Sequence, residues 1–421
     1  MVAAFYRRVS RREHAHALPG PLTDNTRGLP SPTHMAGISL CFVGLDNLPV
    51  LAPEFRGHAI GGESVQQTLL ARALARRGHE VSMVTADCGQ EDGAVYEGIR
   101  VYKAYRPAAG IPLLRFLHPR WTGLWSALAR ADAQLYYTSC AGMHLGLLAL
   151  FCARHGRRLV FRCASDTDCD PSRLLIRYTR DRWLYTYGLR RADVILVQSA
   201  SQAQALKQRF GLTGRLARML VEPAPAAVAR DIDVLWVGNI RHVKRPERVL
   251  ALAAQLPEAV IHMVGGPVPD EPALYQRICR EAALHPNLTF HGHLSYSDAN
   301  ALYGRARLLV NTSEAEGFPN AYLQSWIRGA PAVSFSDPDG VIGRHGLGEA
   351  LASAPAMRDA VRRLLGDPAA LAAAGARCRA YMAHEYAEAR ILTPYLAAFE
   401  ELTHDAPGAR RLLAAGGGRH G

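Results

Sequence analysis

The chain has 421 residues, 49% hydrophobic and 20% charged, with 49 Lys+Arg against 37 Asp+Glu and a formal net charge of +12. That length exceeds one ordinary core and suits two domains of about 150–200 residues, and the composition excludes a disordered or fibrous chain. No apolar run reaches the roughly 18 residues of a membrane span, and eight cysteines without a C-x-x-C pair read as reduced, buried thiols.

Residues 1–35 are rich in Arg, His and Pro, contain no apolar segment and predict a disordered tail that is not a signal peptide. The first domain is expected over 36–218. It opens with an apolar strand at 37–44, followed by Gly61-Gly62 and a helix whose Val65, Leu69, Leu70, Ala73 and Leu74 recur at helical spacing before Gly78. A strand at 79–85 completes a β-α-β unit. The pattern continues with a helix over 113–130, a strand at 133–137, a helix at 142–154, a strand at 158–162 and a helix at 178–191. A strand at 193–198 and a helix at 201–210, closed by Gly211, end the series. The pattern breaks at Glu222-Pro-Ala-Pro-Ala226, read as a linker. A second domain is expected over 226–389, beginning with a strand at 234–238, a helix at 246–256 and a strand at 260–264. Residues 406–421 predict a second disordered tail. The fold class is therefore α/β: two Rossmann-like, doubly wound parallel-sheet domains facing across a cleft, with ligands at the carboxyl ends of the strands.

Charge divides unevenly between the halves. Residues 1–217 hold 28 Lys+Arg and 16 Asp+Glu, whereas 218–421 hold 21 of each. A basic half attracts anions, whether phosphate, nucleic acid or an acidic membrane face.

Three strand-end loops carry chemistry. Gly61 and Gly62 stand at a helix N-terminus, where free N–H groups and the positive helix end suit a phosphate. No G-x-G-x-x-G follows a strand, which argues against a dinucleotide dehydrogenase. The second loop, Gly238-Asn239-Ile240-Arg241-His242-Val243-Lys244-Arg245, crowds three cations after a strand, a placement that can hold a diphosphate and stabilise the charge it gains on leaving. The third follows the strand 308–310: an acidic, Gly- and Pro-bearing loop from Asn311 to Pro319 that opens a helix, with Glu316 an acceptor for sugar hydroxyls and Glu314 favouring the helix N-terminus. The run Cys163 to Asp170 gathers metal-capable side chains in no zinc spacing, so no metal is expected.

At Ser313-x-x-Glu316-Gly317-Phe318-Pro319-Asn320-x-x-Leu323 the chain resembles the retaining glycosyltransferase family 4, whose fold is two Rossmann-like domains (GT-B). The segments "RRGHEVSMVT", "ADVILVQSASQAQAL", "VGNIRHVKRPE" and "FHGHLSYSDANALYGRARLLVNTS" support it, and the likeness extends over about 37–400, nearest to hexosyltransferases of bacterial exopolysaccharide and capsule clusters. The resemblance implies that Glu316 binds donor-sugar hydroxyls and that amides of Gly317, Phe318 and the residues around Pro319 line sugar and diphosphate. It further implies that Arg241 and Lys244 hold the diphosphate, that Gly62 touches a phosphate from the other domain, and that Gly292-His293-Leu294 meets the base. A C-terminal helix at 390–405 is expected to cross back onto the first domain. Three positions depart from the family: Gln324 stands where a ribose-binding glutamate is usual, Asn239 where an arginine is usual, with Arg241 substituting, and the strand Val160-Phe161-Arg162 lacks the usual histidine, leaving Asp166 or Arg162 to contact the sugar. His144 is expected to be structural.

The implied activity is metal-independent transfer of a hexose from a nucleotide-diphosphate sugar to a saccharide or lipid-linked acceptor, with no cofactor and no nucleic-acid partner, in the cytoplasm at the inner membrane face. The basic first half, with its 113–130 helix, is expected to rest on anionic lipid. The competing readings are a nucleotide-sugar epimerase or phosphorylase of the same fold and a non-catalytic sugar-binding scaffold.

Overall fold

The computed structural model describes residues 37–55, 61–111, 114–268, 270–314 and 316–404. Both expected disordered tails, and the start of the expected 113–130 helix, lie outside them.

The first half winds β1 (Ser39–Val43), α1 (Leu48–Leu51), α2 (Gly62–Ala75), β2 (Glu80–Thr85), β3 (Val95–Tyr96) and β4 (Ile99–Lys103), then α3 (Thr122–Ala131), β5 (Leu135–Ser139), α4 (Met143–His155) and β6 (Arg158–Arg162). It closes with α5 (Thr179–Arg191), β7 (Val194–Val197), α6 (Ala200–Phe210) and β8 (Arg215–Leu216). Its sheet runs β3-β4-β2-β1-β5-β6-β7-β8 and is parallel except for β3, which pairs antiparallel with β4. The second half winds β9 (Ile232–Val237), α7 (Glu247–Gln255), β10 (Ile261–Val264), α8 (Pro272–Ala282), β11 (Leu288–Phe290), α9 (Tyr296–Arg305) and β12 (Ala306–Asn311). It continues with α10 (Asn320–Ile327), β13 (Ala332–Ser334), α11 (Val341–His345), β14 (Gly348–Ala350), α12 (Ala354–Gly366), α13 (Pro368–Glu385) and α14 (Glu388–His404). Its sheet, parallel throughout, runs β11-β10-β9-β12-β13-β14.

Local chemistry explains these elements. All five residues of β5 and all four of β7 are buried, as a parallel strand covered on both faces requires. In α12 the buried residues Met357, Ala360, Val361 and Leu364 recur at helical spacing, and the Ser353 hydroxyl accepts the Ala356 N–H at its start. Helix α6 begins at Ser199, whose hydroxyl accepts the Gln202 N–H, and ends at left-handed Gly211.

The expected single helix over 113–130 is corrected. Residues 116–121 form a separate wide turn and α3 begins at Thr122. His118 is extended because it precedes Pro119, whose ring disfavours a helical conformation in the residue before it. The β3–β4 hairpin was not legible in the sequence reading, because the two residues of β3 give no periodicity.

One apolar cluster spans both halves. It joins Leu40, Leu69 and Leu74 of the first to Trp326, Tyr381 and Met382 of the second, and to Leu392 and Phe399 on α14. Helix α14 follows the second half in sequence yet packs on the first. Glu388 pairs with Arg76 at 3.0 Å and Arg77 at 2.6 Å, Glu401 with Arg215 at 2.5 Å, and the Tyr395 hydroxyl donates to the Arg218 carbonyl at 3.0 Å. Phe399→Ala is therefore expected to remove about 3–5 kcal/mol from the whole fold. Urea unfolding followed by circular dichroism checks it; a loss below about 1 kcal/mol would place α14 outside the core.

Candidate active site

Strand order locates the crevice before any side chain is considered. In the second sheet the chain starts at β9, builds outward through β10 and β11, then returns to the other side of β9 with β12. Loops leaving the carboxyl ends of β9 and β12 therefore diverge, and the space between them is where open α/β sheets take ligands. The first sheet repeats this between β1 and β5, whose following loops lead to the N-termini of α2 and α4.

The loops after β9 and β12 are laced together. The Glu314 N–H donates to the Val243 carbonyl at 2.9 Å, and the Thr312 hydroxyl donates to the Lys244 carbonyl at 2.7 Å while accepting the Trp236 indole N–H at 2.9 Å. Lys244 Nζ donates to Glu316 Oε1 at 2.5 Å, and Asn311 Nδ2 approaches the same oxygen at 3.4 Å. The side chains of Lys244 and Glu316 are 27% and 11% exposed, so the pair is shielded from solvent on the protein side yet open to a ligand. Arg245, left-handed at φ 50°, pairs with Glu314 at 2.7 Å and Glu247 at 3.4 Å. Glu314 thus serves a surface ion pair. Arg241 is exposed, and its side chain makes no hydrogen bond or ion pair among the described residues. Its charge reaches Cys140 of the first half.

The rim holds the remaining second-half residues. Gly238 N–H donates to Val264 and Gly265 N–H to Gly292, which stands left-handed at φ 66°. His293 lies against Gly266, and Leu294 packs on the apolar cluster. Leu323 is a core residue and does not face the crevice. Gln324 is buried, with its amide nitrogen 3.1 Å from the Tyr296 hydroxyl and its oxygen accepting Arg328 at 2.8 Å.

The two halves meet at the start of α10. The Phe318 N–H donates to Gln198 Oε1 at 3.1 Å, and Asn320 Nδ2 donates to the Gly62 carbonyl at 2.7 Å while its Oδ1 accepts Gln66 at 2.8 Å. A Cβ on Gly317 would stand 2.8 Å from the Ala164 carbonyl, and one on Gly62 would stand 2.4 Å from Asn320 Nδ2, so glycine permits both approaches. Pro319 caps α10, and the Phe318 ring lies among Tyr322, Trp326 and Tyr386. Asp339 accepts the Ala200 and Ser201 N–H groups at 2.8 and 3.1 Å, so a second-half carboxylate covers the N-terminus of α6.

On the first half, Gly61 caps α2 in an extended conformation and Glu63 lies in its first turn. Both Glu63 oxygens accept Arg162 Nη1 at 3.1 Å. Arg162 is 1% exposed, and its Nε and Nη2 make no hydrogen bond among the described residues. Asp168 accepts the Ala164 and Ser165 N–H groups at 2.8 and 3.2 Å and closes a capped 3-10 turn, while Asp166 accepts Gln202 Nε2 at 3.1 Å. Burial pushes both carboxyls up to about 6; for Asp166 the negative charges of Glu316 and Asp339 add to it. Asp166 is thus the predicted first-half residue that feels the charge of Glu316 across the crevice. His144 is buried with Nε2 3.3 Å from the Ser139 carbonyl, and burial lowers its pKa. Among the described residues, no three His, Cys, Asp or Glu side chains gather as metal ligands.

Sequence reasoning missed Gln198, Gln202, Gln66 and Asp339. Gln198 did carry a signal, being an amide directly after the apolar strand β7, where only a polar partner justifies its burial.

A carboxyl whose pKa is raised by folding holds more protons in the native chain than in the unfolded one, so stability falls as pH rises between the two values, here about 4 and about 6. Asp166→Asn keeps an oxygen for Gln202 and removes this slope. The variant is expected to melt increasingly above the parent as pH rises from about 4, with the difference levelling above about 6. Thermal melts across that range check it, and a difference independent of pH refutes it.

Comparison with known proteins sets this geometry in a family. The family model described as Glycosyltransferase Family 4 matches residues 60–221, and that described as Glycosyl transferases group 1 matches 231–367, so one lies on each half. D-inositol 3-phosphate glycosyltransferase of Mycobacterium tuberculosis (strain ATCC 25618 / H37Rv) is 31% identical over 117 residues, a stretch spanning 26% of this chain and 24% of that protein. The chain thus aligns with about a quarter of the length of the curated relatives it matches. Among solved structures, sucrose-phosphate synthase from Thermosynechococcus elongatus superposes with a TM-score of 0.69 at 18% identity, covering 87% of this chain and 99% of that one. Anabaena HepE, solved in complex with UDP and glucose, gives 0.66 at 14% identity, covering 86% and 100%. With a family model on each half and GT-B glycosyltransferases as its structural neighbours, the chain belongs to the family 4-type glycosyltransferases.

Proposed function

We propose that the protein transfers a hexose, with retention of anomeric configuration, from a nucleotide-diphosphate sugar to a saccharide or lipid-linked acceptor in cell-surface polysaccharide synthesis. The observation that carries this reading is the Lys244–Glu316 pair at the β9/β12 crevice, with the exposed Arg241 on the same loop as Lys244. HepE, of similar fold, is solved with UDP and glucose, which supports a nucleotide and a sugar as the ligands.

The residues divide the work by charge. Lys244 and Arg241 face the diphosphate and offset the negative charge that grows on its oxygens as the C1–O bond breaks. Glu316 accepts sugar hydroxyls. With its Oε1 held by Lys244 and Asn311, it is placed to bind and not to attack C1. The acceptor oxygen forms its bond to C1 on the face the diphosphate leaves, and the acceptor proton passes to the departing diphosphate oxygen. The N-termini of α10 and α2 supply amide donors from opposite walls. The charge falls on side chains and helix ends, so turnover is proposed to need no metal.

A nucleoside diphosphate present at 100 times its dissociation constant is expected to add about 2.7 kcal/mol of stability. In a thermal-shift series with UDP, GDP and ADP, one diphosphate should raise the melting temperature and Lys244→Ala should abolish the shift. No shift with any of the three overturns the reading. Glu316→Gln should lower turnover about 10²-fold or more, and EDTA should leave it within about twofold. NMR of the product's anomeric proton should show the donor's configuration; inversion would sink the proposed mechanism.

A further inference from the structure

Eleven large apolar side chains are strongly exposed among the described residues, and six of them fall in two short segments. Ile111, Leu114 and Leu117 are 69%, 58% and 57% exposed; Leu175, Tyr178 and Trp183 are 71%, 53% and 64% exposed. The others, such as Val95 and Leu284, are scattered along the chain. The two segments touch: the Arg180 guanidinium lies 3.6 Å from the centre of the Phe116 ring. Arg182 fixes the second segment from within, donating to the Ile176 carbonyl at 2.7 Å and the Leu174 carbonyl at 3.4 Å. Leu124 and Leu128, on the helix first expected to carry the membrane-facing side, are instead buried.

Charge follows the same segments. Residues 104–131 contain four arginines and no Asp or Glu, and residues 171–192 contain six arginines and one carboxylate, Asp181. Asp181 is taken by Arg180 at 2.8 Å, while Arg106 and Arg130 pair with Asp87 and Asp92. Apolar tips, one tryptophan and one tyrosine among excess guanidinium groups match the boundary of a bilayer, where aromatic rings sit at headgroup level and arginines meet lipid phosphates. A second copy of the chain fits poorly, because a self-complementary contact would set cation against cation.

We propose that Ile111, residues 114–117 and residues 173–187 form a docking surface for an anionic phospholipid bilayer. They leave the carboxyl edge of the first sheet after β4 and β6, the edge that carries Arg162 and the α2 N-terminus, and the second continues directly from the turn bearing Asp166. A bilayer seated there lies beside the first-half wall of the crevice. The consequence, delivery of a lipid-linked acceptor to that wall, rests on the transfer reading, whereas the docking itself does not.

The test is co-sedimentation of the full chain with phosphatidylcholine vesicles, pure or containing about one third phosphatidylglycerol, with no sugar donor present. Sedimentation with the anionic vesicles alone, weakening as salt rises, supports the proposal. Leu175→Ser with Trp183→Ser, and separately Leu114→Ser with Leu117→Ser, should each weaken partition about tenfold or more, as should Arg173→Gln with Arg177→Gln. Leu284→Ser, exposed on the second half, should change nothing. Circular dichroism and the nucleoside-diphosphate thermal shift of each variant separate loss of docking from loss of fold or of the crevice. Equal sedimentation with both vesicle types, none with either, or patch variants that sediment like the parent overturn the proposal. So does a concentration-dependent dimer that the patch variants lose, which would assign the face to a second copy.

Discussion

A parallel sheet that changes winding direction leaves one gap at its carboxyl edge, and the site depends on how that gap is bridged. Here the bridge is polar. Thr312 binds the Lys244 carbonyl, Glu314 binds Val243, and the Lys244 ammonium reaches Glu316. These bonds hold two loops from distant parts of the chain in one frame, so that an ammonium, a carboxylate and the α10 N-terminus face one small volume. Arg241 lies outside this lacing. Its side chain is exposed and makes no hydrogen bond or ion pair among the described residues.

The second wall belongs to the other half, and at the start of α10 the contact between walls is made by amides. Gln198 accepts the Phe318 N–H, and Asn320 with Gln66 binds the α2 start. A neutral amide oxygen on a helix N-terminus is a weak occupant: bonds from the same N–H to an ionised oxygen are roughly twice as strong. An anion at that N–H would replace the Gln198 oxygen with a stronger acceptor. The glutamine shields the helix end without blocking it.

The two-sheet architecture was legible because apolar strands and helices of helical period alternate from residue 37 onward and each strand ends in a loop rich in Gly or charge. Position also picks out Lys244 and Glu316 separately. Their bond was not legible, because 72 residues separate them and no local pattern encodes that approach. Leu323 belongs to the motif that marks the donor site, yet it is a core residue. A motif lists residues by sequence, whereas a helix turns by about 100° at each residue, so motif positions on α10 need not share a face, and Leu323 points to the core. Pro119 broke the helix expected over 113–130 and moved the exposed apolar side chains out of it. Interdomain partners such as Asp339 carried no sequence signal at all, since their meaning lies in the other half.

Helix α14 changes the mechanics of the pair. The chain crosses from first half to second near residues 217–231 and returns where α13 gives way to α14. Two domains tethered by a single strand of chain can swivel freely. Two that are joined at two places, with a shared apolar seam between the joins, are confined to rotation about the line connecting them. Such a molecule behaves as a book and not as a pair of beads on a string, and Gln66 binds the contact between Gly62 and Asn320 into the spine, since it exchanges hydrogen bonds with Leu220 of the crossing segment at 2.9 Å while donating to Asn320 at 2.8 Å.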